Sequence, residues 1–310
     1  MSNVLNLKKL KDIKGRIFAS LILLFIIFPL FFLTYYGQII GRSISLAIFA
    51  LVLIYSVFEI VHHFTLSWFA KIVLSIIPLF LFFLPVGNTF LFYDKNPILN
   101  IAFLAKIIEN QFRDYLTLII IFTAIFLINI LEYFTNKENN KRWFSNSIVI
   151  IFIIFTITSF FKLVWIINIY SFVWVIFLGF IAAFADGFAY LFGIAIGGKL
   201  FKSRFKVSPS KSIEGFIFGF LSSAVLIAIV LFATNLDENI ANHNIFRPQV
   251  IILLPIFAII GDLSFSAIKR YLQIKDFSSI IKKHGGVFDR FDSTALVFIV
   301  FSIILIISNK

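Results

Sequence analysis

Apolar runs near bilayer-spanning length recur along this 310-residue chain, at about 17–36, 44–61, 68–86, 115–134, 146–161, 172–197, 215–234, 249–272 and 294–308. A helix rises 1.5 Å per residue, so about twenty residues cross the ~30 Å hydrocarbon core of a membrane. Hydrocarbon offers backbone N–H and C=O groups no partner, so such runs must satisfy them inside helices. The expected fold is all-α: a polytopic integral membrane protein with about nine transmembrane helices. The fifth and ninth runs are short, and the stretch 97–108 is too short to span and is expected at the interface.

Composition excludes the soluble classes. Hydrophobic residues make up 61% of the chain and charged residues 14%, with a mean hydropathy of +1.03. Cysteine is absent, which removes disulfides and thiolate metal sites. The 44 Phe, and 19 Lys against 8 Arg, reflect coding bias more simply than aromatic function. A net charge of +12 without a soluble basic module does not fit nucleic-acid binding. Anionic lipid and anionic nucleotide are the better partners for that charge.

The opening MSNVLNLKKLKDIKGR looks like a signal-peptide n-region, but the following run is of spanning length and lacks a small-x-small cleavage site. It is expected to be an uncleaved first span. With the N-terminus inside, the inner segments hold 20 basic residues and the outer ones seven, Arg42 and Lys162 among the latter. That asymmetry predicts a cytoplasmic N-terminus and an external C-terminus. Without the two most basic inner loops the count is 9 against 7, in the same direction.

Against this apolar background, residues 261–292, GDLSFSAIKRYLQIKDFSSIIKKHGGVFDRFD, bring together four carboxylates, basic pairs, a His and a Gly-Gly step. Asp262, Ser266 and Lys269 sit at i, i+4 and i+7 and so share one helix face. Asp262 lies eight residues before Arg270, about 12 Å along a helix. Asp186 and Asp262 are each set inside an apolar run, where a carboxylate costs roughly 2.5–3.5 kcal/mol and faces a cavity or partner. A second polar segment, DGFAYLFGIAIGG at 186–198, leads into the basic loop KLFKSRFKVSPSKSIEG.

The run Ser266, Lys269-Arg270, Lys275-Asp276, Ser278, Ile281, His284-Gly285-Gly286, Asp289-Arg290 and Asp292 resembles the C-terminal signature of the CTP:phosphatidate cytidylyltransferases, the CDP-diacylglycerol synthases. Asp186, Ala189-Tyr190 and Gly193, then Ser208-Pro209, Lys211-Ser212 and Glu214-Gly215, are similar to the middle motifs of the same family. The likeness covers about 186–292 in the right order. Three positions depart from it: Lys282 replaces a usual Pro, Gly187 a common Thr and Phe265 a frequent Glu. None is a residue assigned to metal.

The resemblance implies that a lipid phosphate attacks the α-phosphorus of CTP, giving CDP-diacylglycerol and pyrophosphate. Such chemistry depends on positioning and charge neutralisation. It implies Mg²⁺, with Asp262 and Asp289 as first ligands and Asp186 third. Lys211, Lys269, Arg270, Lys275 and Arg290 would hold the triphosphate and lipid phosphate, with Ser208 and Ser266 also in the substrate set. Gly285 and Gly286 allow close backbone approach, and His284 either donates to a phosphate or makes a structural hydrogen bond. The expected partners are CTP, phosphatidate and the bilayer, with a homodimer implied and no nucleic acid. The expected location is the cytoplasmic membrane, with the site on its inner side. Residues 1–310 read as one integral domain, with N-terminal spans over 1–165 and catalytic spans and loops over 166–310.

Two other readings stay open on sequence alone. One is a cytidylyltransferase acting on a different anionic lipid. The other is a multi-pass transporter or flippase with intramembrane carboxylates as its coupling site. Glu59 with His62-His63 ends the second run, and reads as a hydrogen-bonded helix-end cluster more readily than as a metal site.

Overall fold

A computed structural model of the protein describes residues 25, 27–84, 101–135, 142–197, 212–280 and 285–309. Their regular structure is helical, without a β-strand among the described residues. In chain order the helices are α1 (Ile27–Tyr36), α2 (Gln38–Val61), α3 (Trp68–Ile76), α4 (Pro78–Phe83), α5 (Ile101–Phe112) and α6 (Tyr115–Thr135). They continue with α7 (Trp143–Tyr170), α8 (Phe172–Ala195), α9 (Ile213–Thr234), α10 (His243–Tyr271) and α11 (Asp292–Ser308), the last preceded by a 3-10 turn at Phe288–Arg290.

Six of these, α2, α6, α7, α8, α9 and α10, are long and apolar enough to cross a membrane. Shorter apolar helices, Ile27–Tyr36, Trp68–Phe83 and Asp292–Ser308, fall at the first, third and ninth expected runs. The described residues thus give six helices of spanning length where the sequence suggested nine. The chain is a multi-pass membrane protein on that count. The stretch expected at the interface is α5, which buries Ile101, Leu104, Ala105 and Ile108 at i, i+3, i+4 and i+7. That face packs against α7 and α11.

Three helices outrun their expected bounds past a basic residue, and α2, which starts at Gln38 rather than 44, contains the buried Arg42. The fifth run was expected over 146–161, but α7 has 28 residues and carries Lys162 inside it. The Lys162 ammonium is buried and donates to the Leu81 and Leu84 carbonyls at the end of α4, so the charge is satisfied without ending the helix. α10 begins at His243 rather than near 249 because Arg247, in its second turn, pairs with the fully buried Asp237 at 2.6 Å. Arg42 and Lys162, counted with the outer loops, are therefore buried within α2 and α7.

Local signals set several ends. Ser67 caps α3 by accepting from Ala70 N, and Pro78 opens α4. Ser212 caps α9 by accepting from Gly215 N, with Glu214 in the first turn, where an acid suits the helix dipole. Asn235, left-handed at φ 48°, closes α9.

α7 lies at the centre, against α2, α4, α6, α8 and α11. Polar pairs fix it to its neighbours: Trp165 Nε1 donates to Ser45 Oγ at 3.1 Å, and Asn168 Nδ2 to Phe31 O at 3.0 Å. α8 and α9 form one of the two most extensive helix pairs. Gly215 and Gly219 lie on Ala189 and Ala185 so closely that no Cβ fits. Small residues let two backbones approach in this way where no hydrophobic effect drives helices together. The outer faces of α8 and α9 expose Phe180, Leu191, Ile194, Val225, Ile229 and Phe232, as a lipid-facing surface would.

Candidate active site

The second polar segment and the helix of the first meet at a cavity. It has a volume of about 250 Å³ and lies among α8, α9 and α10. Asp186, Tyr190 and Gly193 reach it from α8, Ser212, Gly215 and Phe216 from the start of α9, and Ile259 and Leu263 from α10. Tyr190 and Ile194 on its wall are 64% and 68% exposed, so one side of the cavity opens where lipid would lie. Asp262 is half-buried on α10 between the lining positions Ile259 and Leu263 and the one-turn-later Ser266.

The start of α11 draws the carboxylates together. Gly261 packs onto the Asp292 and Ser293 carbonyls with no room for a Cβ, which brings Asp262 beside that helix end. Asp186 lies near enough to Asp292 for their like charges to repel. Lys269 answers that charge: its ammonium donates to Asp289 Oδ1 at 2.9 Å and to Asp292 Oδ2 at 3.2 Å, and sits 5.2 Å from the Phe277 ring centre. Lys269, expected to hold a substrate phosphate, is thus buried between two aspartates.

Asp289 is also the organiser of its own loop. Its Oδ2 accepts from Phe277 N at 3.0 Å and Gly286 N at 2.7 Å. Gly285 has φ +81° and lies on the Asp289 carboxylate, a conformation and a spacing that exclude a side chain. The other edge of the loop is held from far away in sequence. Glu59, in the last turn of α2, accepts from Val287 N and Phe288 N, both at 3.1 Å, and from the Ser278 hydroxyl. His63 Nε2 is hydrogen-bonded to Phe277 O at 2.6 Å. The hydrogen-bonded reading of the Glu59 cluster holds for Glu59 and His63, and its partner is the motif loop. Beside them, burial first and then the Lys71 and His63 charges lower the pKa of His62.

Arg270, Lys275 and Arg290 are exposed at this end of the bundle, and Arg270 Nη1 donates to Ile274 O at 3.2 Å. Ser208, Lys211 and His284, with Lys282, lie outside the described residues. The sequence did not single out Glu59, His63 and Gly261 as parts of the site. Glu59 carried a signal, as an acid at the end of an apolar run, but its partner is 219 residues away from it at Ser278.

A hard divalent cation suits the donors present. Among the described residues no three His, Cys, Asp or Glu cluster tightly enough to hold a metal alone. Mg²⁺ does not need three, because it takes one or two carboxylates and completes its shell with phosphates and water. Asp262 and Asp186 are half-buried carboxylates on packed helices. Asp289 uses three of the roughly four acceptor positions of a carboxylate, which leaves one for a monodentate contact.

Comparison with known proteins gives this geometry its family. The profile of the cytidylyltransferase family matches residues 135–308, more than half of the chain. The chain belongs to the cytidylyltransferase family. It is 39% identical over 122 residues to the phosphatidate cytidylyltransferase of Staphylococcus haemolyticus, covering 39% of this chain and 44% of that protein. The phosphatidate cytidylyltransferase of Staphylococcus aureus is 37% identical over the same length, again 39% of this chain and 44% of the relative. The chain therefore spans less than half the length of the curated relatives it matches. Asp186, Asp262, Lys269 and Asp289 fall inside the family match, whereas Glu59 and His63 lie outside it.

Proposed function

We propose that this cytidylyltransferase joins CTP to phosphatidate, making CDP-diacylglycerol and pyrophosphate. The observation that carries the reading is convergence. Asp186 on α8, Asp262 and Lys269 on α10, and Asp289 before α11 gather round one helix end, beside a cavity with a lipid-exposed wall. A phosphate oxygen of phosphatidate attacks the α-phosphorus, the α–β bridge breaks, and pyrophosphate leaves. The nucleophile is already anionic, so the obstacle is repulsion between two polyanions rather than proton removal.

In this reading Asp262, with Asp289 and Asp186, holds Mg²⁺, which supplies charge neutralisation at the phosphates. Lys211, Arg270, Lys275 and Arg290 would hold the triphosphate and the lipid phosphate, with Ser208 and Ser266 also in the substrate set and His284 donating to a phosphate. Lys269 orients Asp289 as well as adding charge. The Gly285–Gly286 turn lets the loop backbone pass close to its carboxylates. The reading includes a cytoplasmic site in the cell membrane, supported by the basic bias of 20 inner residues to seven outer ones, two of which, Arg42 and Lys162, lie within helices, and a homodimer.

The site's polar groups gather at one end of the bundle instead of lining a path across it, which does not favour a transporter. The test is pyrophosphate release by the purified protein in detergent. Release should require CTP, phosphatidate and Mg²⁺ together. Release with another anionic lipid but not with phosphatidate would replace the substrate, and no release with either would remove the reading.

A further inference from the structure

The loop that carries Asp289 and Arg290 is held by two carboxylates, and only one belongs to the family-matched segment. Asp289 binds Phe277 N and Gly286 N on one edge. Glu59 binds Val287 N and Phe288 N on the other, and the Ser278 hydroxyl where the loop begins. Glu59 is 4% exposed, and the loop comes so close to it at Gly286 that a Cβ there would overlap the carboxylate. One turn earlier on α2, Tyr55 places its hydroxyl beside Ser278, and one turn later His63 binds Phe277 O.

A buried carboxylate with three donors from one loop is an expensive arrangement to remove. Truncation strands two N–H groups and a hydroxyl, and a buried donor left without an acceptor is strongly unfavourable. The arrangement has a direct geometric effect. Val287 and Phe288 immediately precede Asp289, and Phe288 is the first residue of the 3-10 turn that contains both Asp289 and Arg290. Whatever fixes those two amides fixes the direction in which Asp289 and Arg290 point.

We infer that Glu59 is a positioning residue for nucleotidyl transfer, by which the N-terminal half of the chain sets the register of the catalytic loop without touching substrate. The inference rests on the proposed cytidylyltransferase reaction and adds to it a residue from outside the matched segment. It gives α2 a role beyond spanning the membrane. His63 supports the same loop at Phe277 and shares that role more weakly, through one bond.

The experiment compares Glu59→Ala, Glu59→Gln and wild type as full-length proteins in detergent. Glutamine keeps one oxygen, which can serve Val287 N and the Ser278 hydroxyl as Glu59 Oε1 does, but turns a donor toward Phe288 N. Glu59→Ala should lower kcat by about 100-fold, the scale of a misplacement of roughly 1 Å. Its KM for CTP should rise by less than kcat falls, because Arg270 and Lys275 lie outside the turn that carries Arg290. Glu59→Gln, which keeps two of the three bonds, should recover part of kcat. A second readout does not depend on turnover: a single cysteine at the exposed Ser279, in a chain with no native Cys, reports on loop order. Its reaction with a thiol reagent should be faster in the Glu59→Ala background and intermediate with Glu59→Gln. Equal labelling in all three backgrounds, or kcat unchanged in Glu59→Ala, would overturn the inference. So would a loss of kcat in both variants alike that tracks a lowered Tm. If wild type itself does not turn over, the reaction assignment fails, and the labelling rates alone still decide whether Glu59 orders the loop.

Discussion

Lys269 and Asp289, twenty residues apart in sequence, are joined by an ion pair of 2.9 Å that ties the last turn of α10 to the loop before α11. The same ammonium reaches Asp292 at 3.2 Å, so one cation serves two buried carboxylates, of which Asp292 also lies near Asp186.

Lys269→Met should therefore act on stability before chemistry. It leaves Asp289 and Asp292 buried with no cation, and breaking a buried pair from one side costs about 3–5 kcal/mol. Thermal unfolding in detergent should show a clearly lower Tm. Tm equal to that of wild type would mean that Lys269 faces solvent or substrate and not the aspartates.

Asp262→Asn and Asp289→Asn should separate metal binding from loop order. Asp262→Asn should lower kcat by about 100-fold or more, since a metal contact is worth several kcal/mol of transition-state charge stabilisation. Its Tm should not fall, because an amide costs less than a carboxylate inside an apolar helix. Asp289→Asn should lose activity and Tm together, because its amide NH₂ would face the Lys269 ammonium. Near-normal activity of both variants across a Mg²⁺ titration would remove these two residues from the metal.

The sequence made the helical class legible because apolar runs of spanning length leave the backbone no alternative. It placed Asp186, Asp262 and Asp289 near one end because they fall on the same side of alternating spans. It could not show that Lys269 turns inward, since an i, i+4, i+7 face does not reveal whether substrate or another helix covers it. Nor could it pair Glu59 with Val287 and Phe288, a contact that exists only once α2 and the loop are packed. Lys162 misled the reading of α7 because a lysine in an apolar run looks like its end. The Leu81 and Leu84 carbonyls that accept its protons come from another element.

At the other end of α9, Asp237 gives the fold a pH dependence. Burial raises the pKa of its carboxyl, but the hydrogen bonds from Arg247 and His243 outweigh this and hold it below its ordinary value. A group with a lowered native pKa binds fewer protons folded than unfolded. Its stabilisation is full above about pH 4 and is lost as pH falls through the lower native value. Tm should accordingly drop below pH ~4 in wild type. Asp237→Asn should start from a lower Tm at neutral pH and show a flatter profile; parallel profiles would contradict the assignment.

Topology is tested by single cysteines at two exposed positions, Ser279 in the motif loop and Asn242 before α10. In sealed right-side-out vesicles an impermeant thiol reagent should label Asn242→Cys, and Ser279→Cys only after the membrane is opened. Labelling of Ser279→Cys in sealed vesicles would put the proposed site and cytoplasmic CTP on opposite sides of the bilayer.

The central claim is a particular bond exchange at this helix end, and the fate of the CTP phosphates tests it most directly. Purified protein is incubated with phosphatidate, Mg²⁺ and CTP labelled at either the α- or the γ-phosphorus, and the lipid is extracted. The account predicts that the α label enters the lipid while the γ label leaves as pyrophosphate, and that Asp262→Asn transfers neither. Transfer of the γ label to lipid, or no α label in the lipid with wild-type protein, would contradict it.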